Sequence, residues 1–309
     1  MESKCKHSPG NSEESGFCLF LTAIIIRPII PVYGTGIIIR AMIKGLGPKE
    51  AELIAILSNT GKRVFSVSEA AKLVGITSEN ASDLVLQLFK KKKLVRIEKA
   101  RYLIVPPEAW ATGKYTEEGI VIASQLISPY YLSYWTAFSY YGWTEQPSKT
   151  IFVATTKQKT TLEVQGMRFQ FVRLKAHRFF GYTEQWIGNQ KVAVAEREKA
   201  LVDGLDQPRY CGEIVEVAKG VWNGRKEVNW DTLLDYAVRM KNGAIIKRLG
   251  FLLDVLGIVE PTVRKALKKH LTTGFASLDP GSKGEGTYHT EWNIFANVNV
   301  RNLTEWRTH

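Results

Sequence analysis

Between Gly47 and Pro106 the apolar positions change period several times. In "GPKEAELIAILSNTG" Leu53, Ile54 and Leu57 recur at helical spacing. Gly47 stands at the cap, Pro48 at the first helical position, Glu50 and Glu52 in the first turn, and Gly61 stops the run. "SVSEAAKLVG" predicts a second, short helix: Ser66 and Glu69 make an S-x-x-E capping box, Ala70, Leu73 and Val74 turn inward, and Gly75 ends it. "TSENASDLVLQLFKKKK" predicts a third helix with Ala81, Leu84, Val85, Leu88 and Phe89 on its apolar side. "LVRIEKARYLIVP" then places β-branched and apolar residues on both sides of Glu98, Lys99 and Ala100, the pattern of a small hairpin. Helix, short helix, turn, longer helix and basic hairpin is the order of a winged helix-turn-helix.

The second half mixes periods. "SPYYLSYWTAFSYYGWTEQ" spaces Tyr131, Tyr134, Trp135, Phe138 and Tyr141 as a helix does, "TIFVATT" and "RFQFVRL" alternate as strands, and "VAEREKALVDGLDQP" reads as a strand end followed by a helix. "VNWDTLLDYAVRM" and "AIIKRLGFLLDVLG" are amphipathic helices, "DPGSKGEG" is a loop by composition, and "EWNIFANVNV" closes as a strand. The expected fold class is α+β: a winged helix-turn-helix over residues 42–106, a linker over 107–125 opened by the Pro106-Pro107 pair, and a mixed α/β domain over 126–309.

Residues 1–41 are an extension of uncertain kind. The run from Phe17 to Ile39 is long enough to span a bilayer, yet Arg27 lies near its middle and Pro28, Pro31, Gly34 and Gly36 interrupt it. A central Arg costs roughly 2.5–3.5 kcal/mol on insertion. Three readings stay open: a segment upstream of a true start at Met42, a membrane attachment through residues 17–39, and a packed strand. A cytoplasmic location is the expectation, with Cys5, Cys18 and Cys211 too scattered for a disulfide framework or a zinc site.

Charge narrows the class of partner. The chain carries a net +12, and residues 43–106 hold twelve Lys or Arg against six Asp or Glu, half of that excess. Such a field attracts nucleic acid or an anionic surface. In the winged-helix reading the third helix enters a major groove by its N-terminal end, with Ser78, Asn80 and Ser82 outward, while the hairpin lies along the backbone. Lys90, Lys91, Lys92 and Lys93 either grip phosphates beside the groove or only complement the helix dipole and meet solvent. A second basic cluster, Arg173, Lys175, His177 and Arg178, either extends that surface or is an ordinary wet edge.

Enzyme signatures are missing from the sequence. There is no GxxxxGK[ST], GxSxG or HExxH, the five histidines are isolated, and from Pro107 onward no Asp or Glu has a Lys two positions later. Glu198 and Asp203 read as a helix start and a salt-bridged face, and the aromatic stripe from Tyr130 to Trp143 as core rather than a base-stacking platform. No catalytic residue, metal or cofactor is expected. An enzyme acting on nucleic acid, with Glu196, Glu198, Asp203 and Asp206 as its carboxylates, and a module that captures a protein partner directly, stand as alternatives.

The combination of "SYWTAFSYYGWTEQPSKTIFVATTKQK", "EKALVDGLDQP", "KRLGFLLDVLG" and "DPGSKGEGTYHTEWNIFANV" resembles the AbiEi-type antitoxins of type IV toxin–antitoxin systems, regulators of viral defence. The resemblance runs from about Leu46 to Val300. It implies an antitoxin that binds double-stranded DNA at its own promoter and represses its operon. Its functional partner would be a nucleotidyltransferase-like toxin, countered without a stable complex being required. It also implies that Ser78, Asn80, Ser82 and Lys90 touch DNA and that Arg96, Lys99 and Arg101 form the wing. Lys93 stands where many winged helices have a glycine before the wing.

Overall fold

Gly47 caps the first helix, α1 (Pro48–Asn59), its N–H donating to the Glu50 carboxylate at 2.6 Å. Strand β1 (Val64–Ser66) leads into α2 (Val67–Val74), where the Glu69 N–H donates to Ser66 Oγ and the Ser66 N–H to the Glu69 carboxylate, the reciprocal pair the capping box requires. Gly75 closes α2 at φ 67°, a conformation that costs glycine little, and α3 (Ser78–Lys90) follows with Thr77 as its cap. The hairpin of β2 (Leu94–Glu98) and β3 (Arg101–Ile104) completes a three-stranded antiparallel sheet in the order β1-β3-β2. Leu53, Leu57, Phe65, Ala70, Val85, Leu88 and Ile104 form the core under it. Phe89, expected inside, is 40% exposed and stands edge-on to Tyr102. It lies about 100° round the helix from Leu88, off the buried arc.

The computed structural model describes residues 45–106, 109–110, 119–146, 148–187 and 190–308. The stretch 17–39 and the readings offered for residues 1–41 lie outside the described residues, among which no helix is long and apolar enough to cross a membrane.

The second lobe is built on a six-stranded mixed sheet. Its strands are β4 (Tyr130–Leu132), β5 (Thr150–Thr155), β6 (Leu162–Val164), β7 (Met167–Arg173), β8 (Tyr182–Ile187) and β9 (Gln190–Ala195), in the order β6-β7-β5-β4-β9-β8. The pairs β5–β7 and β4–β9 are parallel and the rest antiparallel. Helices α4 (Gly119–Leu126) and α5 (Tyr134–Tyr140) flank the first strand. Beyond the sheet come α6 (Arg197–Asp206), α7 (Glu213–Gly224), α8 (Trp230–Arg239), α9 (Gly243–Leu256) and α10 (Pro261–Lys269), and then a small sheet of β10 (Ala276–Ser277), β12 (Ile294–Ala296) and β11 (Thr287–His289). The fold class is mixed α+β.

Two expectations change. The stripe from Tyr130 to Trp143 is a strand followed by a helix, because Tyr131 is drawn into the sheet beside β5 and β9 while Ser133 starts the helix. Tyr131, Tyr134, Phe138 and Trp143 are all buried, so the stripe is core. The expected linker over 107–125 is also not a free tether at its second end. Residues from Gly119 form α4, whose Ile122, Ala123 and Leu126 share one core with Val64, Ile97 and Leu103 of the first lobe. The Gln125 side chain accepts the Val64 N–H at 2.7 Å, and Gln190 Nε2 donates to the Gly61 carbonyl at 2.7 Å. Residues 45–309 accordingly form one compact unit.

Candidate nucleic-acid interface

The face of interest is assembled from α3, its C-terminal turn and the β2–β3 hairpin. Ala81, Leu84, Val85 and Leu88 fasten α3 to the core, which leaves Ser78, Asn80, Ser82 and Lys90 exposed. The three polar candidates do not share one flank. At about 100° per residue Asn80 lies some 160° from Ser82. Asn80 lines a shallow pocket with Pro48, Glu50, Gln87 and Lys91, whereas Ser78 and Ser82 lie on the side of Phe89. The Ser82 hydroxyl donates to the Ser78 carbonyl at 3.0 Å, so its oxygen still faces solvent as an acceptor.

The four lysines separate into two kinds. Lys91 Nζ donates to the Glu50 carboxylate at 2.6 Å, and Glu50 is buried, so this lysine ties the end of α3 to the start of α1. Lys93 sits 4.0 Å from the centre of the Trp110 ring, where burial pushes its pKa down. Lys90 and Lys92 are exposed and pair with no acid among the described residues. Lys92, not Lys93, is the residue in the position that favours glycine: its φ is +57°. The Lys93 N–H donates to the Leu88 carbonyl and the Lys92 N–H to the Phe89 carbonyl, both at 2.9 Å, which is a Schellman closure with lysine at its left-handed position.

The hairpin divides in the same way. Arg96 and Lys99 are exposed, on the outer side of β2 and in the turn, and pair with no acid among the described residues. Arg101, the third expected wing contact, is engaged elsewhere: its guanidinium donates to Glu98 at 3.2 Å and to the Leu126 carbonyl of α4 at 2.7 Å. Glu98 is held from the other side by Lys159 at 2.9 Å. The free cations of the face are therefore Lys90, Lys92, Arg96 and Lys99.

Of the second basic cluster, Arg173, Lys175 and His177 are exposed, but Arg178 is half-buried and forms an ion pair with the buried Asp206 at 3.2 Å. His177 is pushed below its ordinary value, first by desolvation and then by Arg178, Lys241 and Lys175.

The carboxylates considered for catalysis are occupied. Asp203 is fully buried against Lys199, and it accepts from Tyr131 Oη at 3.0 Å and Ser133 Oγ at 2.7 Å. Glu196 accepts from Tyr236 Oη at 2.5 Å, and Glu198 from the Asn229 N–H at 2.7 Å. Glu196 and Glu198 line an open cleft of about 630 Å³ with Arg197 and Glu227, which pair with each other at 2.9 Å. Among the described residues no group of three or more His, Cys, Asp or Glu is placed to hold a metal ion.

Sequence reasoning missed Lys92 as the left-handed residue, Glu50 as the partner of Lys91, and Lys159 as the partner of Glu98. The last two pairs span 41 and 61 residues, beyond any local signal.

No family model and no curated protein matches the chain. Among solved structures it is similar to the crystal structure of the RV2827C protein from Mycobacterium tuberculosis, with a TM-score of 0.61 and 14% identity over 85% of this chain and 96% of that one. At this identity the likeness is one of fold.

Proposed function

We propose that residues 48–104 act as a winged helix-turn-helix and that the chain is a sequence-specific repressor binding double-stranded DNA near its own promoter. The observation that carries this reading is the set of four cations, Lys90, Lys92, Arg96 and Lys99, exposed at the end of α3 and on the adjoining hairpin without an acidic partner among the described residues. Phosphates are the counter-charge such a set suits, and phosphate contacts orient a helix without reading sequence. Sequence choice then falls to the exposed side of α3, with Ser78 and Ser82 as the base-edge donors and acceptors and Asn80 at the margin. The sequence resemblance extends the reading to a cytoplasmic antitoxin that represses an operon shared with a nucleotidyltransferase-like toxin.

The test is a salt-titrated binding assay of the full chain on DNA from upstream of its own coding sequence and on a scrambled duplex. The expected result is a preference of at least about a hundredfold for the native DNA. With four phosphate contacts the slope of log K against log salt is about −3.6. Equal affinity for both duplexes, or an affinity insensitive to salt, removes the repressor reading.

A further inference from the structure

The six-stranded sheet ends in two unlike edges. At one end β6 is three residues long, whereas at the other β8 runs for six, Tyr182–Ile187. Soluble proteins blunt a strand edge with lysine, proline, a bulge or a covering element, because its free N–H and C=O groups invite another strand. The sequence "YTEQWI" has neither proline nor lysine, and it pairs with β9 along its whole length without a break in register. Its single charge, Glu184, is answered by Lys191 of β9 at 3.2 Å. Trp186 is 67% exposed, with Lys191 Nζ 5.6 Å from its ring.

The ladder decides which backbone groups of β8 are free. The Glu196 N–H donates to the Gly181 carbonyl at 2.9 Å, which makes Gly181 and Glu196 a hydrogen-bonded pair at the head of the strand. Bonded and non-bonded pairs alternate in an antiparallel ladder. Thr183, Gln185 and Ile187 therefore turn their backbone groups to β9, and Tyr182, Glu184 and Trp186 turn theirs outward. The Ala193 N–H, opposite Glu184, accordingly points away from β8 and donates to Tyr130 Oη at 3.3 Å. No strand among the described residues lies beyond β8. A second copy of the strand can close on this edge antiparallel about a two-fold axis, with outward residues facing outward residues. An axis at Glu184 sets the two glutamates directly opposite each other, which is destabilising, and an axis at Thr183 leaves Trp186 outside the pairing. An axis at Gln185 sets Glu184 opposite the partner's Trp186, whose neighbour on the far side is the partner's Lys191.

We infer that β8 is the interface of a homodimer in which two copies pair antiparallel about Gln185 and extend the sheet from six strands to twelve. Glu184 and the partner's Trp186 exchange two backbone hydrogen bonds, and the reciprocal pair does the same. Each Glu184 then stands between its own Lys191 and the partner's Lys191. Acid, ring and base follow one another across the axis in both directions, so the edge is complementary to itself and a second copy is the occupant it fits. The axis is normal to the sheet, and a rotation about it returns each face to itself. The first lobe packs on one face, where Ile97 and Leu103 share a core with Val192 and Val194 of β9. Both first lobes consequently lie on one side of the dimer, as two recognition helices must to meet two half-sites of one duplex. The pairing goes beyond the DNA-binding reading and does not depend on it.

The experiment weighs the full 34.8 kDa chain by sedimentation at micromolar concentrations, as the parent and as Trp186→Pro and Trp186→Lys. Proline at this position removes an outward N–H and no bond to β9, and lysine restores the edge charge that β8 lacks. Thermal melting checks that both variants are folded. The expected result is a parent at twice the chain mass and both variants at the single mass. A Cys5→Ser, Cys18→Ser background leaves the buried Cys211 as the native thiol. In it, Gln185→Cys should form an intermolecular disulfide on mild oxidation, since facing non-bonded residues stand about 4.5 Å apart between Cα atoms. Thr183→Cys should not, its copy lying more than about 12 Å away. A parent at the single mass throughout, a dimer that survives both Trp186 variants, or cross-linking at Thr183 instead of Gln185 overturns the inference. A dimer with the expected pattern but no affinity for either duplex upholds the pairing and removes the DNA-binding reading alone.

Discussion

Two regions of this protein use charge in opposite ways. Around α6 every buried charge is answered. Lys199 and Asp203 lie one helical turn apart with no exposure, Asp203 is also held by Tyr131 and Ser133, and Lys199 sits between the rings of Phe180 and Tyr131. Asp206 is held by Arg178 and Asn242, and the Arg248 guanidinium donates to the carbonyls of Leu205 and Ser277. At the end of α3 and on the hairpin, Lys90, Lys92, Arg96 and Lys99 pair with no acid among the described residues. A desolvated ion is tolerable only when paired, so the first group is committed to the fold. A solvated ion contributes little to folding and is free to meet a partner. A net +12 by itself does not tell these apart.

The contrast is most exposed to failure at Lys199. Lys199→Met leaves Asp203 buried without its cation and is expected to cost about 3–5 kcal/mol, read as a fall in Tm of at least about 6 °C. The folded fraction should keep its DNA affinity. A loss of DNA binding with unchanged Tm would erase the distinction between the regions.

Alkaline pH probes the same interior. Tyr141 and Tyr236 are pushed up to about 12, by burial first and for Tyr236 then by its hydrogen bond to Glu196. Burial also raises Tyr131 and Tyr134 well above the ordinary value. In the unfolded chain these phenols ionise near 10, so the unfolded state releases protons first. Stability is therefore untouched below about pH 10 and falls as pH rises from there toward about 12. Phenolate absorbance should appear in two stages, the second coinciding with loss of the near-ultraviolet circular dichroism. A single stage with the fold intact would show that these rings are not sealed.

Within the lysine run, neighbours are expected to differ. Lys91→Ala strips a buried carboxylate of its cation and should cost about 1–3 kcal/mol, whereas Lys90→Ala should change stability by less than about 0.5 kcal/mol while flattening the salt dependence of DNA binding. Equal effects on stability would mean that the run is one solvated helix end. The effect at Lys92, whose left-handed backbone favours glycine, has the opposite sign. Lys92→Gly should raise stability by about 1 kcal/mol and weaken DNA binding at the same time. A variant that gains stability with no loss of affinity would take Lys92 out of the interface.

How much was legible in advance follows from the range of each signal. The capping box of Ser66 and Glu69, Pro48 after Gly47, and Gly75 at the end of α2 are contacts within three or four residues, and they placed the helices of the first lobe correctly. The β2–β3 hairpin was legible for the same reason. The spacing from Tyr131 to Tyr141 misled because a helical period at its first member was overridden by pairing to β5, a partner some twenty residues away.

By itself, then, the sequence determined the local elements of residues 48–104, the excess of positive charge there, and the alternation of β5 and β7. Each of these depends on neighbours along the chain. Only the tertiary structure decided which cations are free, because Glu50 finds Lys91, Glu98 finds Lys159 and Asp206 finds Arg178 across long separations. It also folded the end of the expected linker, from Gly119 on, into a helix with a shared core and brought Arg173 to the side of the sheet that carries the hairpin. Burial and ion pairing are properties of distance in space, and no period in the sequence records them.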